Sequence, residues 1–132
     1  MIRIFLMACV LAALSGGCAL TGTFADMSNV QTTMRGVKLE SGNMLKLAHG
    51  GSVERIPLSI LRSITLHYYE SRTIDRELYV LCDLELRDGS VMSADKDPEL
   101  GTFMCVNNAF IGKADKSCVR VPLDKISRIS FK

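Results

Sequence analysis

Residues 76–87 read RELYVLCDLELR. Leu78, Val80, Cys82, Leu84 and Leu86 fall on one side of this stretch, and Glu77, Tyr79, Leu81, Asp83, Glu85 and Arg87 on the other. Apolar and polar residues alternate with period two over almost the whole length, the pattern of a half-buried strand. Asp88-Gly89 follows, a strong hairpin signal, and Val91-Met92 starts the return. Working outward, strand-length segments stand at 37–40, 44–48, 53–56, 63–70, 102–106, 118–121 and 127–131, with tight turns at Ser41-Gly42-Asn43 and Gly50-Gly51. Beyond the first residues no segment keeps a helical period over ten residues. The spacing predicts an all-β fold, a small barrel or sandwich of about 7–9 short antiparallel strands.

A repeat lies inside this pattern. Residues 55–66 read RIPLSILRSITL and residues 120–131 read RVPLDKISRISF, sharing Arg, Pro, Leu and Ile at four positions. Pro57 and Pro122 have no N–H to give, so a ladder ends there or lies on an edge. Leu-x-x-[Leu/Ile] then makes about one turn, and a new strand begins near Ser63 or Ser127. Strand, single turn, strand resembles the corner of small SH3-like barrels. The resemblance implies an architecture that serves many functions, not a particular family. Hairpins at 38–45 and 85–92 precede the two copies. The distance from Gly42 to Arg55 is 13 residues and from Gly89 to Arg120 is 31, so the second copy reads as carrying 18 extra residues, an insertion at about 98–117.

The N-terminus is an address. Arg3 precedes an eleven-residue apolar run, Ile4 to Leu14, long enough for a signal peptide and too short to cross a bilayer as a helix. Leu14-Ser15-Gly16-Gly17-Cys18 resembles the lipobox of bacterial lipoproteins, with Leu one step earlier than that family prefers. The resemblance implies removal of residues 1–17 and lipidation of Cys18, and Ala19 after the Cys permits sorting to an outer membrane. Thr23-Phe24-Ala25 offers a second cleavage site. Residues 18–34 are small and polar and read as a tether or a docking arm, leaving 35–132 as a single β domain.

The 132 residues carry 16 Lys+Arg against 14 Asp+Glu, and 48% are hydrophobic. Without Arg3 the balance is 15 against 14. That excludes a disordered chain and argues against nucleic acid, which needs a cationic surplus. Read along the chain, there is no basic face and no polybasic stretch to hold anionic lipid. Membrane association is expected only through the N-terminal lipid.

Three cysteines remain after the leader and Cys18. Cys82 falls among the inward residues of its strand and reads as a buried free thiol. Cys105 and Cys118 flank the insertion, and an oxidising compartment favours their pairing as a disulfide. Asp95, Asp97 and Glu99 alternate like the start of a calcium loop, but Leu100 and Val106 stand where that loop needs Gly and Glu. His49 and His67 fall on different strands, and His67 reads as a rim residue. A Cys82–His67 nucleophilic pair would need a thiol that is not buried. No catalytic motif, metal site or cofactor site is expected. Tyr69 and Tyr79, with Leu81 beside them and Phe110 in the insertion, read as a contact surface. These features point to an exported, lipid-anchored protein of the outer membrane or periplasm. It would bind or scaffold an envelope protein or cell-wall component without catalysis. The alternative is a small inhibitor of an exported enzyme, using the Cys105–Cys118 loop as a plug.

Overall fold

The computed structural model describes residues 20–92 and 101–132. The expected signal peptide at 1–17, the lipidation site Cys18 and the carboxylate run at 95–99 lie outside them.

Among the described residues eleven strands form one antiparallel sheet: β1 (Thr21–Asp26), β2 (Gln31–Leu39), β3 (Met44–His49), β4 (Ser52–Pro57), β5 (Leu61–Ile74), β6 (Glu77–Leu86), β7 (Val91–Met92), β8 (Thr102–Cys105), β9 (Ala109–Ala114), β10 (Ser117–Pro122) and β11 (Ile126–Phe131). Single 3-10 turns, Leu58–Ile60 and Leu123–Lys125, join β4 to β5 and β10 to β11. The all-β expectation holds, with eleven strands in place of 7–9. Nine fall where the sequence placed them. The other two, β1 and β9, lie in the segment expected as a tether or docking arm and in the expected insertion. Phe24, in the former tether, is 2% exposed and belongs to the core.

The sheet order is β10-β9-β2-β1-β11-β5-β6-β8-β3-β4, with β7 beside β6. It divides between β11 and β5 into two halves of five strands. Each half ends in an edge strand that stops at a proline, and each contains one 3-10 turn. The ladder register shows the relation between them. Met44 faces Pro57 and His49 faces Ser52; 65 residues later, Ala109 faces Pro122 and Ala114 faces Ser117. The match is gapless, so the 18 extra residues vanish: the hairpin equivalent to 44–57 is 109–122. Inward positions correspond too, with Leu58 and Leu123, Leu61 and Ile126, and Ile64 and Ile129 all buried.

The halves do not follow the chain. The half β10-β9-β2-β1-β11 takes two strands from the first copy and three from the second, and the other half does the reverse. The chain crosses between halves at Glu40–Asn43 and at Val106–Asn108. Asn108 clasps the two crossings: its Nδ2 donates to Ser41 O at 2.8 Å and its Oδ1 accepts from Ser41 N at 3.1 Å. One core runs through both halves, from Phe24, Met34 and Phe110 to Leu45, Leu84 and Met104.

Candidate functional site

Lys113 in β9 stands directly opposite Arg35 in β2 on one side and Cys118 in β10 on the other. One pleat away, Ile111 stands between Lys38 and Arg120. These side chains share the sheet face opposite Phe110, because β-residues alternate. Together with Gly36, Gly112 and Val119 they line a hollow of about 750 Å3. Its rim is cationic and its floor, Ile111, is apolar and half-buried, while the Val119 side chain turns inward against the core.

A bulge shapes this hollow. Between the pairs Ile111–Lys38 and Lys113–Arg35, β2 uses one residue more than β9. Gly36 takes up the extra residue at φ +63°, a conformation glycine adopts without steric cost. A bulged strand bends, and here β2 bends beside the hollow. Opposite it, a Cβ on Gly112 would sit 2.9 Å from the Arg35 carbonyl oxygen, so the backbones approach as only glycine allows.

The electrostatics are one-sided. Arg120 is held by Glu40 through Nε to Oε2 at 2.7 Å and Nη2 to Oε1 at 3.0 Å. That pair lowers the carboxyl pKa of Glu40 and raises that of Arg120. Arg35 reaches the Asp115 backbone oxygen, at 3.4 Å, and forms no ion pair among the described residues. Lys38 and Lys113 have no ion pair among the described residues. Like charges facing across a ladder destabilise it, so Arg35 opposite Lys113 is a local liability. The expectation of no basic face is thus corrected. Four cations separated along the chain converge because β2 and β9 come from different copies.

The equivalent place in the other half is apolar. Where Lys113 faces Arg35, that half has Ala48 facing Phe103. Ala48, Tyr79, Leu81, Phe103 and Cys105 are all buried there, with Ile74 against them, and Arg72 lies 4.1 Å over the Phe103 ring.

That cluster overturns most of the expected contact surface. Tyr69 is 78% exposed, but Tyr79 and Leu81 are at most 2% exposed. The alternation of β6 implies one buried face; at its centre both faces are covered. Phe110 is also wholly buried, in an aromatic group with Phe24 at 5.1 Å and Phe131 at 6.2 Å. The Cys105–Cys118 disulfide is not formed. Both are free thiols, Cys105 buried in β8 and Cys118 exposed on the edge strand β10 of the other half. The cross-linked plug of the inhibitor reading therefore has no counterpart.

Cys82 is buried and free, and burial pushes its thiol pKa strongly up. His67 faces away from it and meets Asp83 instead, Nε2 to Oδ2 at 2.7 Å, beside the Tyr69 ring. A second cavity of about 290 Å3 holds the Lys46–Glu77 pair, at 2.8 Å, near Cys105. Burial raises the Cys105 pKa too, which disfavours a thiolate nucleophile. Among the described residues no three of His, Cys, Asp and Glu lie together as a metal site. Neither the protein-family models nor the curated proteins offer a match to this chain.

Proposed function

We propose that this protein is exported, lipid-anchored and works by binding another component of the cell envelope at the cationic hollow. One observation carries the reading. The two halves share strand order, turns and register, yet their equivalent outer faces differ in kind: Arg35 and Lys113 on one, Phe103 and Ala48 on the other. Shared features serve the fold, whereas a face that departs from it at some expense in stability serves something outside the fold.

The leader sequence supports export. The position of β1 supports Cys18 as the cleavage point. Cutting after Ala25 would remove most of β1, which pairs with both β2 and β11, and would strip Phe24 from the core. No catalytic role is proposed, since the buried thiols are poor nucleophiles.

Metabolic labelling with a lipid precursor tests the address. Label on the wild type and none on Cys18→Ser is the expected result; no label on either would refute anchoring. Crosslinking in intact envelopes tests the site. Adducts should depend on Lys38 and Lys113, and adducts unchanged in Lys38→Glu/Lys113→Glu would refute binding there.

A further inference from the structure

We infer that the hollow receives the headgroup of an anionic phospholipid from the membrane that holds the chain's own anchor. This rests on the binding reading above and names its ligand. Three independent features meet at the site.

The first is charge. Arg35, Lys38 and Lys113 surround the hollow, with no carboxylate paired to them among the described residues. Arg35 and Lys113 stand directly opposite each other. A bound phosphate between them turns that mutual repulsion into two charge-assisted contacts.

The second is the floor. Ile111 presents apolar surface inside the cationic rim, and Gly36, with no side chain and no neighbour crowding it, leaves the space beside it open. A purely polar polyanion gains nothing from such a floor. The glycerol and upper acyl carbons of a phospholipid do.

The third is position. Leu20 accepts a hydrogen bond from Val37 N at 3.0 Å, between Gly36 and Lys38 of the rim. Thr21 pairs with Arg35. Cys18 precedes Leu20 by two residues, and two residues span at most about 7 Å. An anchor at Cys18 therefore holds the hollow within reach of the headgroup layer. Leu20, Gly36 and Lys38 also border a second depression that contains Arg87 and Lys132, which extends the cationic surface at this end.

The test uses the Cys18→Ser chain, so that no lipid tethers it. Cosedimentation is measured with vesicles of phosphatidylglycerol plus phosphatidylcholine and with phosphatidylcholine alone. Binding should favour the anionic vesicles and fall at high salt. Each cation lost should weaken it about fivefold, so Lys38→Glu/Lys113→Glu should weaken it by at least about 25-fold. Both lysines are exposed, and an unchanged circular dichroism spectrum checks the fold. Arg55→Glu/Arg76→Glu, an equal charge change on the other half, should keep the binding. Equal binding to both vesicles, or an equal loss in both double variants, would overturn the inference. So would binding to soluble polyglutamate without preference for anionic vesicles, which would indicate an acidic protein partner instead. Lipid labelling of Cys18 is scored separately, so anchoring and headgroup binding can fail independently.

Discussion

Ile64 and Ile129 face each other across the ladder between β5 and β11, and both are wholly buried. They are the same position of the two copies, 65 residues apart. Their neighbours exchange symmetrically, Ser63 facing Ser130 and Thr65 facing Arg128. The pair therefore marks a local twofold axis relating the halves. Truncating either to alanine should cost about 2–5 kcal/mol. Urea unfolding should show similar losses for Ile64→Ala and Ile129→Ala, and a double variant that departs from their sum because the residues touch.

The exchanged strands make a sharper prediction. Each half needs strands from both copies, so neither copy can complete a half alone. A chain divided between Asp75 and Arg76 should yield two fragments that are unfolded separately and form the native sheet when mixed. Circular dichroism of the fragments and their equimolar mixture measures this; an independently folded fragment would contradict it.

The hairpin at that division is itself strained. Asp75 and Arg76 take φ of 50° and 68°, where side chains other than glycine are disfavoured by about 1–2 kcal/mol. Arg76→Gly should raise the melting temperature by a few degrees, the gain reduced by the greater freedom of glycine in the unfolded chain. Gly112→Ala should act in the opposite sense, because its Cβ would meet the Arg35 carbonyl.

Tyr68 joins the halves by a shared hydrogen bond. Its hydroxyl lies 3.0 Å from Leu123 O and 2.6 Å from Ile126 O, beside the second 3-10 turn. Burial pushes its pKa from 10 up to about 12. The folded state keeps this proton where the unfolded chain has released it. The resulting stability is fully present below pH 10 and is lost as the pH rises toward 12. Urea midpoints measured through the alkaline range should fall more steeply for the wild type than for Tyr68→Phe. At neutral pH that variant should lose about 1 kcal/mol through the missing bond.

The thiols should separate by accessibility. Brief alkylation followed by peptide mapping should label Cys118 and leave Cys82 and Cys105 protected until unfolding. A Cys105–Cys118 crosslinked peptide in the oxidised protein would contradict this arrangement.

Local burial leaves a periodic trace, so the sequence determined most strands, the two prolines, the turns after them and the repeat. β1 was obscure because TGTFAD contributes one large apolar side chain. β9 is obscure in the sequence because Gly112 leaves its inward row incomplete, so nothing local marks Phe110 as buried. In β6, alternation puts Tyr79 and Leu81 on the outward face because it states which residues share a face, not whether a second layer covers it.

Tertiary structure alone decided the site. Arg35, Lys38, Lys113 and Arg120 are few among balanced charges, and no local pattern joins them. They meet because β2 pairs with β9 across the exchange of strands, and a bulge at Gly36 bends that seam into a hollow. Hydrophobic period is set by each strand's own burial and can be read along the chain. The choice of neighbouring strand is set by the packing of the whole sheet, and that choice brings the cations together.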